Sequence, residues 1–448
     1  MIYQEAVSYI KNIERAGSDY GIERMRMLLN MLGAPDSRLK FVHVAGTNGK
    51  GSVCAYLTSV LKEAGYRVGT YNSPSVFRYN ERWTINGNPL DDESVAKYIT
   101  EVRGAIDAEN EKRKASKDCD NNTLSPLLCG EFLPTAFEIE TAAAMLAFED
   151  MGCDICVLET GLGGRWDATN AVLKKELAVI TPIGLDHCAL LGNTLREIAE
   201  EKAAIIKADC VTCEQCEEVM SAIRNPYEIV CGEKKYYKAN VSVCKNPRLI
   251  SGDRNGQKFA YGDEIYEIGM LGAHQLQNAS IAVCAIEKLR EIGWTISKKA
   301  LRDGLKKAEW HARLEIVKNA EQRFNICVPQ GKTLVFDGAH NPHGAAALAN
   351  AIKNYFAKER VQLVLGILAD KDVDGVLSIL APVADRITAV TPDSPRALEC
   401  DKLKRKVEAY KQCDTCGNIR AAVENALNGD CDVTVLCGSL TLFGDLIQ

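Results

Sequence analysis

The sequence predicts an α/β fold in two domains: a mostly parallel sheet with a glycine-rich phosphate-binding turn (P-loop), and then a smaller α/β domain. An apolar strand at 40–45 runs through glycines into a helix, strands and helices then alternate, and the alternation restarts near residue 308. At 448 residues the chain exceeds what one hydrophobic core usually supports. We therefore expect domains at 1–308 and 309–448.

Composition narrows the class of protein. Hydrophobic residues make up 46% and charged residues 25%, as in ordinary globular proteins. No apolar run reaches the roughly 18 residues that a membrane helix needs, and the N-terminus reads as an amphipathic helix with both charges. A net charge of −6 disfavours nucleic acid as a partner. We expect a cytoplasmic monomer that binds neither membrane nor nucleic acid.

The 18 cysteines are best interpreted as buried hydrophobic residues of a cytosolic chain. Two groups have metal-like gaps, Cys210-Cys213-Cys216 and Cys413-Cys416. Because no zinc-type histidine spacing accompanies them, a structural metal is not favoured.

The first domain begins with helical residues 1–39, followed by the strand at 40–45, a helix to Ala64 and a strand at 66–71. A loop occupies 72–83, and the polar stretch 108–130 predicts a surface insertion. A helix is expected at 137–148, strands at 155–159 and 177–182, a helix at 194–206, and a small antiparallel patch at 228–270. Polar residues follow these strand ends, which is where open parallel sheets bind ligands.

The second domain shows a shorter alternation of the same kind. Strands are expected at 314–317, 333–337, 363–367, 386–390 and 433–437, with a helix starting at His343.

The turn Gly46-Thr47-Asn48-Gly49-Lys50-Gly51-Ser52 is the strongest motif. Such turns aim backbone N–H groups at one point, the helix N-terminus adds positive potential, and the lysine binds nucleotide phosphates. Only two residues separate Gly46 from Gly49, and Gly51 stands where a magnesium-binding hydroxyl usually follows the lysine. An ordinary strand–turn–helix connection is the structural alternative.

These motifs together resemble the folylpolyglutamate synthase and dihydrofolate synthase family of the Mur ligase superfamily. The resemblance covers nearly the whole chain. Besides the glycine turn, its motifs are Ser73-Pro74, Glu81-Arg82, 134–138, 159–170, 186–194, 198–203, 274–279, Arg313-Leu314-Glu315, 337–342, 370–372 and 438–440.

The resemblance implies a Mur ligase-like fold and an ATP-dependent amide ligase. A substrate carboxylate would take the γ-phosphoryl group of ATP, and the amine of L-glutamate would attack the resulting acyl phosphate. The γ-carboxylate of a (tetrahydro)folate is the implied acceptor, with dihydropteroate as a further substrate. Such chemistry depends on positioning and on cations, so ATP and two Mg²⁺ ions are expected.

The resemblance also assigns roles to matching residues. Residues 46–52 would hold ATP, with Lys50 on the β- and γ-phosphates. Asn278 would lie on the adenine side. The other implied nucleotide or acyl-phosphate contacts are Arg313, Asp337 and His340. The implied magnesium ligands are Ser73, Glu159, His187 and Lys202, with Ser73 replacing the hydroxyl that Gly51 lacks. Tentative substrate contacts are Arg82, Asp167, Arg396 and Ser439.

Lys202 has two possible interpretations. Its neighbours Glu197, Glu200 and Glu201 suggest an exposed lysine on a charged helix. In similar enzymes the matching lysine is carbamylated and binds a second magnesium ion, so the resemblance implies a modified Lys202.

Two alternatives stay open. A peptidoglycan-precursor ligase of the same superfamily would carry a further domain before the glycine turn, where only 45 residues stand here. A non-catalytic nucleotide-binding regulator would have no need of Glu159, His187 and Lys202. The chain departs from the family pattern at Ser75, at His311-Ala312 in place of Pro-Gly, and at Ala204 in place of glycine.

Overall fold

The computed structural model describes residues 1–15, 21–115, 130–207, 209–230 and 232–447. The chain forms two compact units. Unit 1 comprises Met1–Ser73, Asn80–Asn246 and Asn278–Gly304, and unit 2 comprises Pro74–Tyr79, Pro247–Gln277 and Leu305–Gln448. The bounds 1–308 and 309–448 stay a prediction.

Unit 1 is organised around a large sheet. Strands β1 to β10 are Phe41–Ala45, Val68–Tyr71, Trp83–Ile85, Asn88–Pro89, Ile155–Glu159, Leu177–Ile180, Asp209–Thr212, Tyr227–Val230, Glu233–Tyr236 and Asn240–Val243. Within the described residues the sheet has eight strands in the order β10-β7-β6-β1-β5-β2-β3-β4. Neighbours from β10 to β2 are parallel, and β3 and β4 extend that edge antiparallel. The central strands β1 and β5 are buried at every residue, as expected for a parallel sheet covered on both faces.

Helices cover this sheet. Helices α1 to α10 are Tyr3–Arg15, Ile22–Met31, Lys50–Glu63, Asp92–Ala115, Ala136–Asp150, Cys188–Leu191, Leu195–Ala203, Glu217–Arg224, Ala273–Glu291 and Lys298–Lys307. Helices α5 and α7 both begin at capping boxes, formed by Thr135 with Glu138 and by Thr194 with Glu197. These caps satisfy the first backbone N–H groups of each helix and fix where α7, which carries Lys202, begins.

Unit 2 contains two sheets. Strands β11 (Arg248–Asp253), β12 (Gly256–Tyr261) and β13 (Glu264–Ile268) form an antiparallel sheet. Strands β14 to β19 are Glu315–Ile316, Thr333–Asp337, Val361–Leu365, Arg386–Ala389, Cys413–Thr415 and Val433–Cys437, and they order as β14-β15-β19-β16-β17-β18. Only β14 runs antiparallel among the described strands of this second sheet. Helices α11 to α15 are Ala320–Phe324, Pro342–Tyr355, Val373–Leu380, Cys400–Val407 and Ile419–Leu427.

The structure confirms the predicted α/β fold and corrects two segments. The expected insertion at 108–130 is wrong in its first part, because α4 continues to Ala115; one face of that helix, including Ile99 and Val102, is buried, so its polar residues are the solvent side. Residues 116–129 lie outside the described residues. The antiparallel patch expected at 228–270 exists as β8-β9 and β11-β12-β13, but β10 instead joins the large sheet.

Every helix in the described ranges is too short or too polar to span a lipid bilayer. The described cysteines are free thiols, and most of them are buried.

Gly304 of α10 tests how closely that helix packs on α3. A Cβ atom on Gly304 would lie 2.4 Å from the Cα atom of Val60, and the Ser59 hydroxyl donates to the Gly304 carbonyl at 2.8 Å. Backbone cannot move aside as a side chain can, so Gly304→Ala is expected to destabilise unit 1 by about 1–3 kcal/mol. Calorimetric unfolding should show a lower Tm than wild type.

The matched control is Gly104→Ala in α4, where an added Cβ would meet nothing within 4 Å. Removing a helical glycine there should leave Tm unchanged or raise it. A wild-type Tm for Gly304→Ala would contradict the close helix packing.

Candidate active site

The glycine turn is braced by the segment that follows β6. The backbone N–H groups of Thr47 and Asn48 donate to the carbonyl of Pro182 at 3.0 and 3.3 Å. The Thr47 hydroxyl donates to the carbonyl of Gly184 and accepts from its N–H, both at 3.0 Å. The turn therefore has one fixed conformation at the carboxyl edge of the sheet, just before α3 begins at Lys50.

Both glycines that open the turn are sterically required. Gly46 has a φ of +149°, and a Cβ there would lie 1.9 Å from the Thr181 hydroxyl oxygen. Gly49 has a φ of +88°, and a Cβ there would lie 2.3 Å from the Asn278 amide oxygen. Asn278, predicted on the adenine side, is thus packed against the turn itself.

Lys202 lies beneath the turn and is buried. Its Nζ donates to the carbonyl oxygen of Gly46 at 2.9 Å, and only 5% of the residue is exposed. Burial and then the positive charge of Lys50 lower the pKa of Lys202 to about 7, against the opposite effect of Asp186 and Asp167. The exposed lysine that the charged neighbours suggested is therefore wrong.

The predicted metal ligands lie after three different strands. Glu159 ends β5 and is 5% exposed, and its Oε2 accepts from the backbone N–H of Ser73 at 3.4 Å. His187 precedes α6 with a φ of +50°, and its exposed ring lies 3.8 Å from the Asp186 carboxylate. The structure thus brings Ser73 and Glu159 together and places the His187 ring beside Asp186.

A buried hydrogen-bond chain links β1 to the loop after Glu159. His43 Nε2 lies 2.7 Å from the Thr169 hydroxyl, which donates to Asp167 at 2.5 Å. Because that hydroxyl donates to the carboxylate, it accepts from His43, whose proton is therefore on Nε2. Burial, with Lys175 and Lys207, lowers the pKa of His43 well below its usual value, so the ring is neutral.

The Asp167 carboxylate forms its hydrogen bonds within its own loop. Its carboxylate also accepts from the backbone N–H groups of Leu162 and Thr169, and burial raises its pKa despite these bonds. The remaining sites predicted for substrate have partners as well: Arg82 binds Glu140 at 2.8 Å, and Ser439 bonds Thr441 at 2.8 Å.

In unit 2, two predicted nucleotide residues lie at the end of β15: Asp337 is its last residue and His340 follows it. Asp337 is 7% exposed and accepts from the N–H groups of Leu314 and Ala339, both at 2.8 Å. Burial raises the pKa of Asp337, opposed by the charge of Arg313. His340 Nδ1 donates to the Gly338 carbonyl at 2.8 Å, which fixes the ring beside Asp337.

Arg396 has no described contact with Arg313, Asp337 or His340. It is exposed and pairs with Asp370 at 3.1 Å on the surface of unit 2. The described contacts therefore bring Arg313, Asp337 and His340 together but do not link Arg396 to them.

Comparison with known proteins places this arrangement in a family. The Mur ligase middle domain matches residues 132–286, and the Mur ligase glutamate ligase domain matches residues 322–440. A Bacillus subtilis protein named dihydrofolate synthase/folylpolyglutamate synthase is 36% identical over 402 residues, which cover 88% of this chain and 86% of that protein. The chain belongs to the folylpolyglutamate synthase and dihydrofolate synthase family.

Solved structures agree with this membership. Escherichia coli FolC in complex with DHPP and ADP is 28% identical with a TM-score of 0.80, covering 100% of this chain and 97% of that one. A bifunctional folylpolyglutamate synthase/dihydrofolate synthase from Yersinia pestis, complexed with AMPPNP and Mn ion, is 25% identical with a TM-score of 0.77, covering 100% and 97%.

One departure from the folylpolyglutamate synthase pattern has a structural consequence. Ala312 stands where the family pattern has glycine, and its φ is +54° although it is fully buried. A left-handed backbone conformation is strained for alanine, whereas glycine adopts it without strain. Ala312 therefore keeps the conformation that a glycine would have, at a cost in folding free energy.

Sequence reasoning missed several residues of this family site. His43 sits within a strand that reads as uniformly apolar, and Thr181 follows another such strand. His274 lies in the motif 274–279 but was given no role, and burial followed by the charges of Arg313 and His343 lowers its pKa to about 4. The available signal was the same in kind for all three: a polar residue stands inside an apolar strand, directly after one, or within a family motif.

The buried amine of Lys202 should make stability depend on pH. Its pKa is lowered from 10.5 to about 7, so above pH 7 the unfolded chain binds more protons at this position than the folded chain. The free energy of unfolding should therefore rise by up to about 1.4 kcal/mol per pH unit between pH 7 and 10 from this group. Lys202→Met should lack this contribution, as measured by urea unfolding in CO₂-free buffer with chelator.

Lys62→Met, at an exposed position in the last turn of α3, is the control and should keep the wild-type slope. Equal slopes for wild type and Lys202→Met would contradict the lowered pKa.

Proposed function

We propose that this protein is an ATP-dependent ligase that adds L-glutamate to the γ-carboxylate of reduced folates and also to dihydropteroate. The observation that carries this proposal is the glycine turn with Lys50 at its helix end and Lys202 beneath it. Two cations beside a backbone loop suit a polyphosphate, since anions are stabilised by helix N-termini and by lysine. The Bacillus subtilis relative is named for both activities, and a glutamate ligase domain model matches 322–440.

The conformation of the proposed ATP-binding turn depends on Gly46 and Gly49, because both have positive φ and a Cβ atom there would clash with Thr181 or Asn278. ATP, when bound, supplies the phosphoryl group that activates the substrate carboxylate. Lys50 would neutralise charge on its terminal phosphates, while Asn278, packed on Gly49, would limit where the base can lie. In unit 2, Arg313, Asp337 and His340 would contact the nucleotide or the activated carboxylate.

The oxygen donors fit a magnesium ion. Ser73 offers a hydroxyl and Glu159 a carboxylate, and the two residues are already joined by a hydrogen bond. Hard oxygen ligands suit Mg²⁺, and one imidazole, His187, completes the protein donors that would hold it. Proteins of this family bind ADP, AMPPNP and Mn ion; we propose two magnesium ions here, the second near Lys202.

Lys202 is chemically suited to carbamylation. A pKa of about 7 leaves much of the amine unprotonated at neutral pH, and only the neutral amine adds to CO₂. The new N–C bond forms as one C=O π bond of CO₂ becomes a carboxylate oxygen, and loss of one proton from nitrogen leaves a carbamate anion in place of the neutral amine. The charge of Lys50 now disfavours protonated Lys202 and would instead stabilise its carbamate.

We propose for the four tentative substrate residues that Arg82, Asp167 and Ser439 shape loops around the substrate, since each is held by the bonds described above. Arg396 is exposed on unit 2 and would bind a substrate carboxylate after its ion pair with Asp370 breaks. We also propose a cytoplasmic monomer; the free, mostly buried thiols in the described ranges support a reducing compartment.

The proposed activity is tested by measuring ADP release and product mass with ATP and L-glutamate. Tetrahydrofolate and dihydropteroate should each be turned over, and a muramoyl-peptide precursor should not. Lys50→Met should lower kcat/KM by about 100-fold or more because transition-state charge loses its cation. Lys62→Met on the same helix is the control.

Turnover of the muramoyl peptide alone would favour a peptidoglycan-precursor ligase. Nucleotide binding without turnover of any acceptor would favour the regulator.

Carbamylation is tested with Lys202→Ala and ¹³C NMR. With ¹³C-bicarbonate the wild type should show one carbamate resonance that Lys202→Ala lacks. Loss of a metal-binding carboxylate should lower activity by about 10–100-fold, with partial recovery on adding a short carboxylic acid. Full activity of Lys202→Ala without additive would exclude the role, and so would a spectrum without the resonance.

A further inference from the structure

Unit 2 contains a cavity of about 300 Å³ that the proposed site does not use apart from Arg313. Its walls are the turn between β11 and β12, residues 269–271 after β13, residues 306–311, residues 313–316 with β14, Lys318 and Arg323 of α11. This volume is at the lower end of the range for small-molecule sites, about 300–1,000 Å³.

The cavity is strongly cationic. The cationic residues that line it are Arg254, Lys306, Lys307, Arg313, Lys318 and Arg323, against the carboxylates of Glu309 and Glu315. Glu315 is already bound by Arg323 at 2.6 Å and by His311 at 3.1 Å. A concave surface with this excess of positive charge concentrates anions.

Two of its cations differ in how they are held. Arg254 is fixed by the Tyr355 carbonyl at 2.8 Å and by an ion pair with Glu359. Lys318 is exposed and forms no ion pair with any residue of the described ranges. A ligand carboxylate could therefore pair with Lys318 without displacing a partner, which avoids one cost of binding.

The cavity also has apolar walls, supplied by Met270, Leu271, Trp310 and Ile316. A ligand that matches both features has short methylene segments separated by carboxylates. We propose that this cavity binds the oligo-γ-glutamyl tail of an elongated folate, with Lys318 paired to one of its α-carboxylates. Each γ-linked glutamyl residue carries two methylene groups and one free carboxylate, in the alternation that these walls present.

This inference rests on the proposed function, because a ligase that elongates folates binds such tails as its substrates and products. Nucleotide phosphates share the anionic chemistry, and Arg313 is assigned to them as well. The two sources differ in their dependence on tail length, so the experiment carries separate arms for the tail and for the nucleotide.

The tail arm compares tetrahydrofolates that carry one and five glutamates. In Lys318→Glu, the ratio of the KM for the pentaglutamate to the KM for the monoglutamate should rise about tenfold, since a favourable pair becomes a repulsive one. Lys318→Arg should keep the wild-type ratio. Lys402→Glu, an exposed position on α14 outside the cavity, is the matched control for charge reversal.

The binding arm uses calorimetric titration of free penta-γ-L-glutamate and, separately, of ADP. Wild type should bind the pentapeptide and Lys318→Glu should bind it about tenfold more weakly, with ADP affinity the same in both. An unchanged KM ratio and unchanged pentapeptide affinity would overturn the inference, and so would a loss confined to ADP. If wild type turns over the monoglutamate while both tail readouts stay unchanged, only this inference fails; absence of turnover with every folate would remove the proposed function.

Discussion

The hydrogen bond from Lys202 to the Gly46 carbonyl is the contact on which the active-site account depends. It places an amine under the glycine turn, in a buried position and close to Lys50. Neither burial nor a second cation favours the ammonium form, so the site is electrostatically unsatisfied as long as both lysines are positive. Anionic phosphate above the turn or a carbamate on Lys202 would each relieve that repulsion.

The large sheet explains how distant parts of the sequence reach this contact. Strands β1, β5 and β6 are neighbours and parallel, so the residues that follow them emerge at one edge. Gly46 follows β1, Glu159 ends β5 and Thr181 follows β6, whereas Lys202 arrives on α7. The chain from His43 through Thr169 to Asp167 ties the first of these strands to the loop after the second.

Much of this arrangement could be predicted from local sequence. Strands at 155–159, 333–337 and 433–437 have the predicted bounds, because each is a short apolar run bounded by polar or turn residues. The helix through 108–115 was missed since its polar residues resemble a loop when its buried face is not known. Burial of Lys202 was equally invisible: three neighbouring glutamates suggest a solvated face, and only packing of α7 against the turn buries the lysine. Ala312 shows the same limit, as its left-handed backbone cannot be inferred from an alanine.

The most direct measurement is a crystal structure with a non-hydrolysable ATP analogue and Mg²⁺. The terminal phosphates are expected on the turn 46–52, within hydrogen-bond distance of Lys50, with a metal ion held by Glu159. A nucleotide bound elsewhere while residues 46–52 contact no phosphate would contradict it.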